Sequence, residues 1–304
     1  MKYKISGILT TSFLLSMILI VVNCQKKVIE PEEESPQIVS GPEVTVILDS
    51  SAVVEWTTSL PTDSKVKYGT TTDYEFEVLD GESRINHSLT LTALIPATTY
   101  HYQVESYNFE KTKRVGSSDQ TFTTTHNQFS LTMLGWESFE LQDYAAAISY
   151  FTQAKSIADY TDAYNGLGWG YIRVDSIQNA LLNFNSSITL DSLNIDAYAG
   201  RSSVNLYLNR YTSAINDANN VISYDEFYVF SHDTTISYKD IRLILAQSYF
   251  YTQQYERAQE QVDIIYPENG LNPNDPSTWV VNGITYSTYH ETLINMIQYL
   301  WGKV

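Results

Sequence analysis

The sequence predicts an all-β sandwich followed by an all-α solenoid of helix pairs, with a small hairpin and a capping helix at the end. Apolar residues alternate with polar ones between about residues 36 and 125, and from about residue 128 they recur at helical spacing. Two stretches share residues at an offset of 33, LGWESFELQDYAAAISYF at 134–151 and LGWGYIRVDSIQNALLNF at 167–184. Such a period indicates a repeated helical unit, and 304 residues are enough for two domains.

The first residues predict export from the cytoplasm. Lys2 and Lys4 precede a mostly apolar run from Ile8 to Val22, a pattern that is typical of a signal peptide. The run is shorter than the roughly 20 apolar residues that a membrane-spanning helix needs. A signal peptide over residues 1–23 is therefore favoured over a membrane anchor.

The stretch VVNC at 21–24 resembles the lipobox of bacterial lipoproteins, in which signal peptidase cuts before a cysteine that carries lipid. It departs from the pattern at Asn23, where Gly, Ala or Ser is usual. The resemblance implies lipidation of Cys24, attachment to the bacterial cell envelope and, by the enterobacterial rule for a residue other than Asp at Gln25, the outer membrane. Residues 24–37 are charged and contain prolines, which predicts a flexible acidic tether.

The alternation between residues 38 and 125 predicts several short strands and therefore a β-sandwich. The alternating residues are Val44, Val46 and Leu48; Ala52, Val54 and Trp56; Val66 and Tyr68; Leu89 and Leu91; and Tyr100, Tyr102 and Val104. We expect Trp56 in the core of the sandwich.

One stretch of the sandwich, LIPATTYHYQV at 94–104, matches the tyrosine corner of fibronectin type III domains through Leu94, Pro96, Thr98 and Tyr100. Within that family, AVVEWTTSLPTDSKVKYGTT at 52–71 and TFTTT at 121–125 resemble the amino-terminal sandwich of purple acid phosphatases. That sandwich carries no metal in those enzymes. The Gly-Asp and Gly-Asn-His motifs of the catalytic domain are absent after residue 125, so the resemblance implies the fold without the phosphatase activity.

The repeated stretches resemble the tetratricopeptide repeat, a pair of antiparallel helices of about 34 residues. Four copies fit between residues 128 and 267, at 128–160, 161–194, 195–228 and 239–267, with an insertion, VFSHDTTISY, before the last. Small residues recur together in the two helices of each copy, which allows close helix packing. The pairs are Gly135 with Ala147, Gly168 with Ala180, Ser202 with Ala214, and Ala246 with Ala258. The third copy departs from the pattern with Arg201 at the Leu position and Ala218 at the Phe position.

The tail, residues 268–304, predicts a hairpin and a last helix. Asn282-Gly283 lies between two short apolar runs, and this dipeptide is the strongest short signal for a hairpin turn. A helix over about 287–301 carries apolar residues at helical spacing, and we expect it to cap the open end of the repeats.

Composition and motifs argue against nucleic-acid binding and against catalysis. The formal net charge is −17, with 18 Lys and Arg spread over the chain, so clusters that could neutralise phosphates are missing. No phosphate loop, nucleophile elbow or zinc-protease motif occurs, and no metal or cofactor is expected. The five histidines are expected at the surface and are too scattered for a metal site: His87, His101, His126, His232 and His290.

The tetratricopeptide resemblance implies a concave face, lined by the first helix of each pair, that binds a ligand. The predicted partner groove consists of Trp136, Phe139, Asn165, Trp169, Ile172, Arg173, Leu206, Gln247 and Phe250. Only Asn165 and Arg173 resemble the carboxylate clamp of chaperone-binding members, so that clamp is not supported. The two tryptophans are either open to a partner or covered by the neighbouring sandwich or the carboxyl-terminal hairpin, and both alternatives remain.

These observations lead to a non-enzymatic, lipid-anchored envelope scaffold that binds another envelope or secreted protein or peptide through the concave face. The alternative is a carbohydrate-binding accessory lipoprotein of a glycan uptake or polysaccharide system, because aromatic side chains also stack on sugars. An enzyme of unrecognised type is the third hypothesis, and no catalytic residue can be named for it.

Overall fold

The structure is a computed structural model that describes residues 34–303. The predicted signal peptide, Cys24 and the tether up to residue 33 lie outside the described residues. The strands of the first part are β1 (Ile38–Ile47), β2 (Ser51–Gly69), β3 (Phe76–Thr92), β4 (Thr99–Tyr107), β5 (Arg114–Gly116) and β6 (Gln120–Thr123). The helices of the second part are α1 (Gln128–Glu140), α2 (Tyr144–Ile157), α3 (Thr161–Arg173), α4 (Ile177–Leu190), α5 (Ile195–Tyr207), α6 (Tyr211–Tyr224), α7 (Tyr238–Tyr251) and α8 (Tyr255–Ile265). The chain ends with β7 (Val280–Val281), β8 (Ile284–Thr285) and α9 (Tyr289–Trp301).

The long strand β2 belongs to both layers of the sandwich. Residues 52–58 pair antiparallel with β1, and residues 65–69 pair antiparallel with β4. β3 follows β2 along both halves, while β5 and β6 pair with β4. A single strand thus carries the chain from one layer to the other.

The alternation identifies the core of the sandwich correctly except in the first predicted strand. The expected residues of β2, β3 and β4 are all buried. Val46 and Leu48 are instead 45% and 52% exposed, because a β-bulge between Val44 and Val46 shifts the alternation, so that Ile47 packs on the core in place of Val46. Tyr100 forms the expected corner, since its hydroxyl accepts a hydrogen bond from the backbone N–H of Ile95 at 3.0 Å.

His87 is buried inside the sandwich, so the expected surface position is wrong for this histidine. Its ring stacks on buried Trp56 with centroids 4.7 Å apart. Its nitrogens lie within hydrogen-bond distance of hydroxyl oxygens, Nδ1 at 2.7 Å from Ser64 and Nε2 at 2.9 Å from Thr58. Burial lowers the pKa of His87 to about 4, so the ring is neutral at physiological pH.

The two helices of each pair are joined by a turn with the same backbone motif. In the first pair the N–H of Asp143 donates to the carbonyl of Ser138, and that of Gln142 donates to Phe139. These are the two bonds of a Schellman turn, which needs one residue in the left-handed conformation. The left-handed residues of the four turns are Gln142, Asp175, Asn209 and Gln253, with φ of 62°, 57°, 55° and 61°.

Two buried phenylalanines explain the glycines of the repeats. A Cβ added at Gly135 would lie 2.5 Å from the ring of Phe151, and one at Gly166 would lie 2.3 Å from it. The sequence predicts that Gly135 makes room for Ala147, whereas the closest obstacle to a side chain there is the ring of Phe151. Each ring therefore lies between two first helices that have no side chain at the contact.

The second ring, Phe184, lies in the same way between Gly168 and Gly200, where an added Cβ would be 2.4 Å and 2.1 Å from it. In the third copy Ala218 stands at the ring position, and Ser202 and Ile244 stand where the glycines would be. The volume lost from the ring is thus compensated by larger side chains on the first helices.

Arg201, which replaces the usual leucine of the third copy, takes part in a polar network. Its Nε and Nη2 donate to the two carboxylate oxygens of Asp217 at 2.9 and 2.7 Å, and its Nη1 donates to Asn185 at 2.8 Å. Asn205 donates to the same carboxylate at 2.9 Å. Asp217 is 4% exposed, so its charge is paired where water is scarce.

The carboxyl-terminal elements cover the last helix pair. Asn282 and Gly283 have φ of 49° and 78°, as a two-residue hairpin turn requires. Helix α9 buries Leu293, Ile297 and Leu300 and packs on α7 and α8. Within residues 34–303, no helix has the length and apolar character to cross a bilayer.

Candidate functional site on the concave face

The segment between α6 and α7, residues 225–237, lies against the concave face of the helix pairs, and we call it the inter-repeat segment. It contains most of the predicted insertion. Tyr228 and Phe230 are 1% and 0% exposed, whereas Val229 between them is 47% exposed. Side chains that alternate in this way are typical of an extended chain with one buried face.

Three alternate residues of the segment contact three successive first helices. The hydroxyl of Tyr228 donates to Asp196 of α5 at 2.8 Å. Phe230 stacks on Trp169 of α3 with ring centroids 4.3 Å apart. His232 then stacks on Trp136 of α1, with centroids 3.9 Å apart and an angle of 2° between the planes. The segment therefore crosses the face with one inward side chain on each of α1, α3 and α5, and Phe230 also meets Trp136 of α1 edge to face.

Further bonds fix the segment at its tip and along its backbone. Asp233 pairs with Arg173, and His232 Nδ1 lies 2.8 Å from Glu140 Oε1. The N–H of Phe230 donates to the carbonyl of Ile236 at 2.9 Å, and that of Tyr238 donates to Tyr228 at 2.6 Å. The segment is thus a short hairpin whose side chains hold the repeats.

The concave face is covered at the first two copies, which decides between the two alternatives that the sequence left for the tryptophans. Trp136, Phe139, Asn165 and Trp169 are between 2% and 5% exposed. Rings of the inter-repeat segment stack on both tryptophans, so the chain itself fills the groove there. This cover comes from neither of the two parts that the sequence suggested, the sandwich and the carboxyl-terminal hairpin.

The remaining predicted groove residues are half-buried. Ile172 and Leu206 pack against the core of the repeats, and Arg173 faces Asp233. Gln247 accepts a hydrogen bond from Nε1 of Trp301 at 2.8 Å, so the end of α9 also reaches this face. Phe250 meets Tyr255 edge to face at 5.3 Å.

Two half-buried carboxyl groups lie close to the inter-repeat segment. Burial raises the pKa of Asp162, although the hydrogen bond from Trp136 Nε1, at 3.0 Å, and the nearby His232 lower it. Burial also raises the pKa of Asp196, and the charge of Asp162 raises it further, while the bond from Tyr228 and the charge of His232 act the other way. His232 therefore lies within electrostatic reach of both carboxyl groups.

Some polar atoms under the segment have no hydrogen-bond partner. Among the described residues, five buried side-chain atoms are unpaired, and three of them belong to α3: Asn165 Oδ1, Trp169 Nε1 and Arg173 Nε. The inter-repeat segment fills the apolar part of the groove but leaves these donors and this acceptor unused.

A separate polar cleft of about 990 Å³ lies beside α8 and the start of α9. Amide side chains line it, among them Gln253, Gln254 and Asn274. Tyr255 and His290 also line it, with their ring centroids 3.9 Å apart. No group of three or more metal-ligating side chains occurs in the part of the chain that the structure describes.

The contacts of the inter-repeat segment were not predicted from the sequence, although its residues alternate in a regular pattern. Tyr228, Phe230 and His232 alternate with Val229 and Ser231, which is the period of an extended chain. Outside a sheet this signal does not say what the buried face contacts. Only the tertiary structure shows that the segment packs on the two tryptophans.

Residues 42–125 match the family model of the purple acid phosphatase N-terminal domain, and residues 130–160 match that of the tetratricopeptide repeat. The chain therefore joins a sandwich of the first kind to repeats of the second. The matched domain is only the non-catalytic amino-terminal part of the phosphatases. Tetratricopeptide repeats mediate contacts between proteins, which supports an interaction scaffold.

No curated protein matches the chain. Among solved structures, a tetratricopeptide repeat protein from Parabacteroides merdae is 18% identical over 57% of this chain and 60% of its own, with a TM-score of 0.39. MamA is 16% identical over 57% and 88%, with a TM-score of 0.41. A thermophilic tetratricopeptide repeat protein from Thermus thermophilus is 14% identical over 57% and 82%, with a TM-score of 0.38. The chain thus spans about 60% of the first structure's length, and such distant likenesses carry nothing about function.

Proposed function

We propose that the protein is a membrane-anchored lipoprotein of the bacterial cell envelope, in the outer membrane, that binds another protein through the concave face of its helix pairs. Lipid on Cys24 attaches the chain, and the tether and sandwich hold the repeats away from the membrane. No catalytic step and no cofactor form part of this function.

One observation carries the binding part of the proposal. The concave face already holds an extended polypeptide segment, through Tyr228 on α5, Phe230 on α3 and His232 on α1. A face that accepts one inward side chain per helix suits an extended peptide, since alternate residues of such a peptide point the same way. Buried aromatic contacts of this kind carry most of the energy in many protein interfaces.

Site-specific photo-crosslinking in the native envelope tests the binding surface. A photoreactive residue replaces Phe250, which is half-buried on the concave face, or Leu182, which is exposed on α4, as the matched control. We expect the same protein partner to be captured repeatedly from position 250 and not from position 182. Capture from position 182 alone would contradict the concave face as the binding surface.

The membrane anchor has its own test. Metabolic labelling with a fatty-acid analogue should mark the wild-type chain and leave Cys24→Ala unlabelled, with the variant recovered in the soluble fraction. A labelled Cys24→Ala variant, or an unlabelled wild type, would contradict lipidation at this cysteine.

The polar cleft beside α8 favours a second candidate function, glycan binding. Amide groups pair with sugar hydroxyls and aromatic rings stack on sugar faces, and the cleft offers both in Gln254, Asn274 and Tyr255. A glycan array with wild type and Tyr255→Ala tests this candidate. Binding that is lost in the variant would support it, and an array without any binding would oppose it.

A further inference from the structure

The inter-repeat segment holds the concave face through side chains. Its contacts with α1, α3 and α5 include the two ring stacks, the edge-to-face contacts of Phe230 with Trp136 and Phe139, the bond from Tyr228 to Asp196, and the pairs at His232 and Asp233. The backbone hydrogen bonds described for residues 228–236 join the segment to itself and to its own flanks. It can therefore leave the face as a unit without breaking any described backbone hydrogen bond to these helices.

The face under the segment has hydrogen-bonding atoms with which the segment does not pair. Trp169 Nε1 and Arg173 Nε are unpaired donors, and Asn165 Oδ1 is an unpaired acceptor. Trp169 and Asn165 are both 2% exposed. Buried groups of this kind are costly when they stay unpaired, so an occupant whose backbone reached them would bind with an advantage over the segment.

His232, the third inward residue of the segment, indicates which charge an occupant would need at this position. His232 lies on the face of Trp136 and beside Glu140. The carboxyl groups of Asp162 and Asp196 are also near: burial raises the pKa of both, and the charge of His232 opposes that rise. A basic side chain at this place would gain from the ring face and from the acidic groups.

We propose that the inter-repeat segment is a tethered occupant of the partner groove, and that a partner displaces it with an extended segment of the pattern aromatic, any residue, aromatic, any residue, basic. This inference rests on the proposed function and names the partner's chemistry. The partner's rings replace Tyr228 and Phe230, and its backbone pairs the free atoms of α3. Displacement is competitive. The apparent affinity for the partner is therefore the intrinsic affinity multiplied by the fraction of molecules in which the groove is open.

A peptide-binding experiment on the full chain tests the proposal. The variant Tyr228→Ser/Phe230→Ser/His232→Ser keeps the segment but removes its three inward side chains. The probe is a fluorescent peptide with the sequence of residues 226–236, and the control peptide has the same composition in an order that breaks the alternate spacing of Tyr228, Phe230 and His232. We expect the variant to bind the probe at least about a hundredfold more tightly than the wild type does, and neither protein to bind the control. A variant with wild-type helical circular dichroism that binds no probe would overturn the proposal.

Hydrogen exchange of the wild type keeps the proposal testable if the variant does not fold. A short hairpin that has left the face is only marginally stable in water. We therefore expect the amides of Phe230 and Tyr238, which close this hairpin, to exchange through openings that leave the amide of Leu245 in α7 protected. Exchange of these amides only together with Leu245 would overturn the proposal. If the probe fails while crosslinking from position 250 still captures a partner, the displacement is wrong and the scaffold stands. If the probe binds but no envelope partner is captured, the scaffold function fails instead.

Discussion

Phe230 stacks on Trp169 with ring centroids 4.3 Å apart and planes inclined by 20°, and neither side chain is more than 2% exposed. The contact joins a residue of the inter-repeat segment to the repeated Leu-Gly-Trp motif of α3. The two tryptophans of this motif therefore have a structural role in the resting chain, as the surface on which the segment packs.

Removal of the Phe230 ring should destabilise the repeats. The ring is fully buried, so we expect Phe230→Ala to lower the free energy of unfolding by about 3–5 kcal/mol. Val229→Ala is the matched control, because Val229 is adjacent and 47% exposed, and it should change stability by less than about 1 kcal/mol. Urea denaturation followed by circular dichroism measures both. Equal effects of the two substitutions would mean that the segment is not packed on the concave face.

A side chain at Gly168 should clash with Phe184. The added Cβ would lie 2.4 Å from the ring, so we expect Gly168→Ala to cost about 1–3 kcal/mol. Gly81→Ala serves as control, since a Cβ at Gly81 meets nothing within 4 Å. In the double variant Gly168→Ala/Phe184→Ala, the loss should be smaller than the sum of the two single losses. Strict additivity in thermal or urea unfolding would argue against direct contact.

Asp196 should make stability depend on pH through its raised pKa. A carboxyl group with a raised pKa in the folded state contributes stability that is complete below its unfolded pKa and is lost as the pH rises through the folded value. Asp196→Asn removes this loss and keeps an acceptor for the Tyr228 hydroxyl. The melting temperature of the variant, relative to the wild type, should therefore rise as the pH increases above about 4, the ordinary pKa of an aspartate.

The control for this pH effect has the opposite sign. Hydrogen bonds from Ser277 lower the pKa of the exposed carboxyl group Asp275. Its stability contribution is present above its unfolded pKa and is lost as the pH falls through the folded value, so Asp275→Asn should lose stability relative to the wild type as the pH rises. If the difference in melting temperature from the wild type does not change with pH for either variant, neither carboxyl group is shifted in the stated direction.

The ion pair of Arg201 and Asp217 in the third repeat should be replaceable by the leucine and asparagine that the second repeat has at the same positions. Arg201→Leu leaves the carboxylate of Asp217 buried without its arginine, which we expect to cost about 3–5 kcal/mol. The double variant Arg201→Leu/Asp217→Asn reproduces the residues Leu167 and Asn183 at the equivalent positions and should recover most of that loss. Chemical denaturation of the single and double variants tests this. A double variant as unstable as the single one would show that the network, rather than the unpaired charge, sets the cost.

Much of the fold could be predicted because it depends on local patterns. Ala52, Val54 and Trp56 are buried as their alternation predicts, and Tyr100 forms its corner with the backbone of Ile95. His87 could not be predicted, because its burial depends on hydroxyl groups from β2 that the sandwich brings to both ring nitrogens.

The candidate site was less predictable than the fold. The residue types of the concave face follow from the repeat pattern, but their exposure depends on a segment 61 residues beyond Trp169, the distance to Phe230 in the chain. A helical pattern describes which side of a helix is apolar and does not say what covers that side.

By itself the sequence determined the order of the elements, the period of the repeats and the small residues that the packing of the helices requires, because these depend on spacing along the chain. Only the tertiary structure decided which group each small residue accommodates, Phe151 for Gly135 and Phe184 for Gly168, and what lies on the two tryptophans. The physical reason is that contacts between distant residues follow from the shape left after the helices have packed, and the inter-repeat segment fills that shape with its own rings.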